Sequence, residues 1–231
     1  MFADLGQRVS QLTYNGPSRL GSGCWVLRDS GLTPFGAEVV AAMNHVGMAV
    51  DLSHSGERTA LDAIEASRTP VLITHSNCRT LVPSQRRNVT DRTIRALTQR
   101  GGVLGLTTVR ALVGTRRPSI ETLLDHFDHV AHLVGIEHVG LGSDVDADGR
   151  DTSSGRPLGA YIIEGLDPAL RVFQLAEGLL ARGYSRADVQ GVLGGNFRRA
   201  LAAIWPAPAA GDRLPPRDPF CPPALAPRSR S

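Results

Sequence analysis

Cysteine is scarce in this 231-residue chain, and the few present make no framework. Cys24, Cys78 and Cys221 are odd in number, far apart and never in a CxxC pair, so neither a disulfide scaffold nor a zinc ribbon is indicated. A reducing compartment, and with it a cytoplasmic location, is the simpler expectation. Aromatic residues make up only 5% of the chain and do not interleave with its scattered arginines, which argues against a base-stacking basic stripe. Charge of one sign is lacking too: 25 Lys plus Arg against 22 Asp plus Glu leave a net charge of only +3. No apolar run approaches the ~20 residues of a membrane span. Phe2-Ala3-Asp4 also puts an acid where a secretory leader has its basic start. Neither a membrane nor a nucleic-acid partner is expected.

What is present is a core-sized supply of apolar residues, 42% of the chain, in short recurring runs. VSQLTY (9–14), GMAVDLSH (47–54), PVLITHS (70–76), GGVLGLTTV (101–109) and EHVGLGSD (137–144) are near-continuous apolar segments that suit strands buried on both faces of a parallel sheet. Helical patterns with their own start signals lie between them. Thr33 and Pro34 open TPFGAEVVAAMNHVG, Thr90 precedes DRTIRALTQR with Gly101 after it, and Ser119 precedes IETLLDHFDHVAHLVG. This alternation predicts an α/β fold of βαβ units with right-handed crossovers. Residues 159–184 and 185–205 are predicted as two further helices, the second opened by the capping box Ser185-x-x-Asp188. From Pro206 to Ser231 the chain is rich in Pro, Ala and Arg with little to bury. The domain is therefore set at 1–205, and 206–231 is expected to be a disordered tail.

Four of the five predicted strands end in a polar residue able to do chemistry: Tyr14, His54, His75 and Asp144. In parallel α/β folds the carboxyl ends of strands face the active site. Neighbouring strands lie about 4.8 Å apart. Two imidazoles at the same height can then converge on one ion with Zn–N bonds of about 2.0–2.1 Å. One strand-end histidine more often bonds a loop; two at matching ends favour a metal. Asp144 beside a cation could orient a water or carry its proton, whereas Asp146 and Asp148 read as a solvated turn. Arg86 and Arg87 follow the third strand in SQRRNVTD, where a guanidinium can clamp a carboxylate bidentately or form a surface ion pair. His126, His129 and His132 share their helix with Leu123, Leu124, Phe127 and Val134, so structural or solvent-facing roles are expected of them, as of His45 and His138. Cys78 is read as a small loop residue rather than a thiolate ligand.

Six segments in order resemble the membrane dipeptidase family of zinc metallopeptidases, a branch of the metal-dependent amidohydrolases. They are GLTPFGAEVVAAMNHVGMAVDLSH, PVLITHSNCRTLV, RRNVTD, GGVLGLTTV, LDHFDHVAHLVGIEHVGLGSD and GVLGGNFRRAL, and the similarity runs from Leu12 to Ile204. The resemblance implies a TIM-type (β/α)8 barrel with two zinc ions at its mouth, bridged by a glutamate. It also implies hydrolysis of a small peptide or amide by metal-bound hydroxide. It makes His54 and His75 ligands of one zinc, places Arg87 on the substrate's free carboxylate, and sets Asp144 over the scissile bond as a proton carrier. Tyr14 stands where mammalian members have a histidine that contacts the substrate carbonyl; a phenol can donate the same bond.

The family's His-x-Asp pair and bridging Glu belong to a region that the resemblance places before this chain. About five of eight βα units and fewer than two zincs are the expectation. Five twisted strands cannot close a barrel, so two open edges, an under-filled inner face and a marginal monomer are predicted. A homo-oligomer or a complementing chain follows from that. The alternative to an active enzyme is a catalytically impaired half-barrel, a partner subunit, a truncated product, or a family member recruited to biosynthesis.

Overall fold

The computed structural model describes residues 2–146 and 163–205. The expected tail, Asp148 and the first part of the 159–184 helix lie outside the described residues. Five strands, β1 (Val9–Gln11), β2 (Ala49–Asp51), β3 (Leu72–Ser76), β4 (Val103–Leu106) and β5 (Val139–Leu141), form one sheet in the order β1-β2-β3-β4-β5. Every neighbouring pair is parallel. A parallel neighbour can be reached only by a crossover. The crossovers are α1 (Pro34–His45), α2 (Glu57–Ala66), α3 (Asp91–Gln99), and α4 (Arg110–Val113) followed by α5 (Ile120–Val134). All five predicted strands are therefore present, in a partial α/β barrel wall.

Three of these helices start where the sequence indicates. The side chains of Thr33, Thr90 and Ser119 accept hydrogen bonds from the amides of Gly36, Thr93 and Thr122. α2 has no such local signal, because Gly56 precedes it. Its orphan amides at Arg58 and Thr59 donate instead to Asp29 Oδ2, at 2.7 and 3.2 Å. A cap supplied from a distant loop satisfies the helix as well as a neighbouring one does.

Alternation along the strands sorts the core into two layers. Val50, Leu52, Ile73, Leu104, Leu106 and Val139 point toward the crossover helices and pack with Val40, Ile64, Leu97 and Phe127. On the other face Ala49, Leu72 and Val103 pack with Ala200 and Ile204 from the last helix. After β5 come α6 (Arg171–Ala181) and α7 (Arg186–Gln190), then a wide π turn (Gly191–Gly195) and α8 (Asn196–Ile204). Arg182, just past α6, ties it to α5 through Glu121, Asp125 and Asp128, at 2.7, 2.8 and 2.6 Å. The single helix predicted over 185–205 is thus broken. Gly194 departs from helical geometry inside the GVLGG run, and the wide turn redirects the chain.

That turn sends α8 beneath the amino ends of the strands. Asn196 Nδ2 donates to the carbonyls of Ile136 and Val139, at 2.9 and 2.8 Å, beside β5. Arg199 reaches the carbonyls of Gly101 and Glu137, at 3.3 and 2.8 Å. Trp205 Nε1 donates to the Arg8 carbonyl, at 3.2 Å, beside β1. The inner face was expected to be under-filled, yet α8 supplies its lower layer. Among the described residues β1 and β5 each pair on one side only, and no helix there is long and apolar enough to cross a membrane.

The Phe197 ring lies over Gly140, where an added Cβ would come within 2.4 Å of a ring carbon. Gly140→Ala should therefore overpack the junction and lower stability by about 1–3 kcal/mol. Adding Phe197→Leu should recover part of that loss. Urea unfolding of the two single variants and the double variant measures the coupling, and additive effects would show that the ring and the glycine do not meet.

Candidate active site

The site lies at the carboxyl ends of β1, β2, β3 and β5, and irregular backbone builds it. Along β3, Ile73 pairs with Leu104 and Ser76 with Leu106, so β3 carries one residue more than β4 between these points. Regular alternation would put Thr74 and His75 on opposite faces. The bulge instead lets them meet, Thr74 Oγ1 lying 2.8 Å from His75 Nδ1. Among the described residues, His54 (φ 66°) and Asp144 (φ 55°) are the non-glycine residues with left-handed backbone. Such conformations cost about 1–3 kcal/mol and collect at functional sites.

Buried Asp51 is the anchor of this region. Its Oδ1 accepts the amides of Ser53 and Thr74, both at 2.9 Å, and the Ser53 hydroxyl at 2.7 Å. Its Oδ2 accepts the Thr74 hydroxyl at 2.7 Å. Around this anchor the two histidines converge, His54 Nε2 standing 3.1 Å from His75 Nε2. The outer nitrogen of His54 lies 2.7 Å from Asn15 Oδ1. The Tyr14 ring stacks on the His54 ring with centroids 4.1 Å apart.

Burial lowers the basicity of both imidazoles. For His54, burial first, then Arg87 and His75, push the pKa down to about 3. For His75, burial outweighs the opposing pull of Asp144. Both rings are then neutral near pH 7, the form that ligates metals. Bonds of about 2.0–2.1 Å in a tetrahedron place two ligand nitrogens about 3.3–3.4 Å apart, so the observed pair fits two positions of one ion. Among the described residues no group of three or more His, Cys, Asp or Glu could hold a metal. The pair by itself offers two of the three protein ligands that a zinc site ordinarily uses.

Arg87 is only 6% exposed. Its Nη2 donates to the His75 carbonyl at 2.7 Å, and its Nε has no partner. Arg86 is exposed and donates to the Val26 carbonyl at 2.8 Å. Tyr14 is 65% exposed beside the histidines. Asp144 is exposed at the end of β5 and acts electrostatically on His75 and Arg87. A cavity of about 570 Å3, lined by residues including Asp29, Glu57, Arg58 and Arg86, lies beside α2 and includes neither histidine. The histidine pair, not that cavity, has the convergent chemistry.

Sequence reasoning passed over Asp51, Ser53, Thr74 and Asn15. Asp51 and Thr74 stand within the DLSH and ITHS runs, three positions before His54 and one before His75. Three of the histidines set aside as structural or solvent-facing make hydrogen bonds away from the site. His126 Nδ1 accepts the Cys78 amide at 3.1 Å and its Nε2 donates to the Val113 carbonyl at 3.0 Å. His129 pairs with Asp91 at 2.8 Å, and His138 Nδ1 donates to the Gly102 carbonyl at 2.8 Å.

Parallel strands with paired histidines at their carboxyl ends define an amidohydrolase-type barrel wall. An amidohydrolase from Pseudomonas aeruginosa superposes with a TM-score of 0.75 at 28% identity, over 88% of this chain and 66% of that one. The chain belongs to the membrane dipeptidase family, peptidase family M19, whose sequence model matches residues 1–208. Dipeptidase 3 of Rattus norvegicus is 33% identical over 210 residues, which is 88% of this chain and 41% of that protein. Dipeptidase tcpJ of Claviceps purpurea is 33% identical over 80% of this chain and 41% of its own length. A metallo peptidase from Rhodobacter sphaeroides, solved with a phosphinate mimic of the dipeptide L-Ala-D-Ala, has a TM-score of 0.75 and 29% identity, over 88% of this chain and 57% of that one. The chain thus spans about two fifths of the length of these curated relatives.

Buried His126 gives the stability of the fold a pH dependence. Burial draws its pKa down, against the Val113 hydrogen bond that raises it. The unfolded chain takes up the proton near the ordinary value of about 6.5. Because the folded value is the lower one, its contribution is complete above about pH 6.5 and is lost as pH falls below it. His126→Gln, which keeps an acceptor and a donor but does not titrate, should flatten the fall in urea midpoint between about pH 7 and about pH 5. An unchanged slope would exclude His126 as a source of that dependence.

Proposed function

We propose that this chain carries the carboxylate-binding and proton-handling half of a zinc-dependent dipeptidase site. The observation that carries the reading is the histidine pair, converged at 3.1 Å, beside a buried guanidinium with an unpartnered Nε. A buried donor left unpaired costs about 1–3 kcal/mol, and a substrate carboxylate would satisfy it with a charge-assisted bond. His54 and His75 would hold a zinc ion; when bound, zinc supplies a water acidic enough to attack an amide near neutral pH. Asp144 would take the proton from that water on its carboxylate and deliver it to the nitrogen of the leaving amine. The Tyr14 hydroxyl would donate to the scissile carbonyl, orienting it. Family membership and the dipeptidase names of the relatives support the substrate class.

A second copy or a complementing chain belongs to the same reading. Among the described residues β1 and β5 each have one unpaired side, which supports it, because exposed edges invite pairing. Sedimentation should show mass rising with concentration; a sharp monomer would remove this part. Elemental analysis should find fewer than two zincs per chain, lost in the His54→Ala, His75→Ala double variant. Two ions retained by that variant would sink the metal assignment.

Arg87 tests the substrate. Losing a charged hydrogen bond of about 1.5–3 kcal/mol lowers substrate capture roughly ten- to hundred-fold. In active preparations, alone or complemented, Arg87→Ala should raise KM for a free dipeptide by that factor and change little for its carboxamide. Arg86→Ala should leave both near wild type. Equal losses on free and capped substrates would make Arg87 a structural residue.

A further inference from the structure

The hydrogen-bond geometry around Asp51 determines where the proton of His75 sits, two hydrogen bonds away. An ionised carboxylate only accepts. Thr74 Oγ1, 2.7 Å from Asp51 Oδ2, therefore commits its one proton to Asp51. Ser53 Oγ, 2.7 Å from Asp51 Oδ1, commits its proton in the same way. Its approach to Thr74 Oγ1 at 3.2 Å consequently brings no competing donor. With its proton spent, Thr74 Oγ1 can only accept from His75 Nδ1, 2.8 Å away. The proton of His75 is thereby placed on Nδ1 and the lone pair on Nε2. His54 reaches the same state by a separate route, its Nδ1 donating to Asn15 Oδ1 at 2.7 Å. Two lone pairs then face each other across 3.1 Å, an arrangement that repels unless a cation lies between them.

We propose that Asp51 is a positioning residue which, through the Thr74 hydroxyl, holds His75 in the tautomer whose Nε2 is free to bind a metal ion. Its functional meaning rests on the reading of His54 and His75 as a metal pair. The tautomer itself rests on geometry alone. Partners of this kind around metal ligands fix ring orientation and tautomer, and removing one weakens binding about ten- to hundred-fold.

Asp51→Asn makes the proposal sharp, because the amide has only one workable orientation. Oδ1 receives the amides of Ser53 and Thr74, both at 2.9 Å, so that position must stay a carbonyl oxygen. The new NH2 then faces Thr74 Oγ1 and donates to it. Thr74 turns its own proton toward His75 Nδ1, His75 shifts its proton to Nε2, and Nε2–H donates to His54 Nε2. An isosteric substitution thereby reverses the chain of donors and fills the metal position with a proton.

Long-range proton–nitrogen NMR of the metal-free full chain, with neutral imidazoles, reads the tautomer of each ring directly. The wild type should show both rings protonated on Nδ1, and Asp51→Asn should move the His75 proton to Nε2. Ser53→Ala removes the Ser53 hydroxyl from Asp51 and from the His75 amide, which donates to it at 3.1 Å, but keeps the three groups of the relay, Asp51, the Thr74 hydroxyl and His75 Nδ1, and should leave the tautomer in place. Thr74→Val deletes the relay atom and should release His75 from a single tautomer. In titrations with Zn2+, Asp51→Asn should bind about ten- to hundred-fold more weakly than Ser53→Ala. A wild-type His75 protonated on Nε2, or a folded Asp51→Asn that keeps the Nδ1 proton, overturns the proposal. Zn2+ that fails to perturb either ring in the wild type would instead remove the metal reading, while the tautomer result still decides the relay.

Discussion

A buried carboxylate holds the carboxyl ends of β2 and β3 in register. The backbone pairing of these strands is short, its register given by Asp51 opposite Leu72. Beyond it the Thr74 amide donates to the Asp51 side chain at 2.9 Å, where a longer strand would offer a carbonyl. The carboxylate thus extends the ladder past the point where the backbones diverge. That divergence opens the space into which His54 and His75 turn. Had the strands stayed paired, regular alternation would have sent neighbouring side chains to opposite faces. The site exists because a side chain takes over from the backbone at this height.

Much of this architecture was legible from residue patterns, and the exceptions share a cause. Five apolar runs located the strands because burial on both faces leaves a continuous signature. Thr33, Thr90 and Ser119 marked helix starts because a cap is a local bond. α2 carried no such mark because Asp29 caps it from a loop remote in sequence, and local pattern does not record tertiary contacts. The histidines were visible as polar ends of apolar strands. Asp51 and Thr74 were not, because a polar residue inside a strand run looks the same whether it faces solvent or a neighbouring strand. The bulge that brings Thr74 and His75 together is a matter of register against β4, which no single strand reveals.

The open wall is less exposed than five strands alone would be. α8 gives the lower inner face apolar neighbours in Ala200 and Ile204 and fixes itself by polar bonds to the loops beneath β5, β4 and β1. The carboxyl-end layer carries Asp51, Ser53, Thr74 and the histidines instead. The sheet is consequently apolar and covered at its base and polar at its mouth. This division suits a scaffold that holds a reactive site on a rigid floor.

The contact between Trp205 and the Arg8 carbonyl joins residues 197 positions apart in sequence. Contacts of such long range raise the contact order and delay folding, since loop-closure entropy must be overcome before they form. The floor of the sheet is also supplied after all five strands during synthesis. Until residues 196–205 have been made, Ala49, Leu72 and Val103 lack the cover of Ala200 and Ile204 on their inner side. The nascent chain therefore passes through a stage in which the five strands have been made while the hydrophobic base beneath them is still largely uncovered, and its route to the native state depends on how quickly α8 arrives.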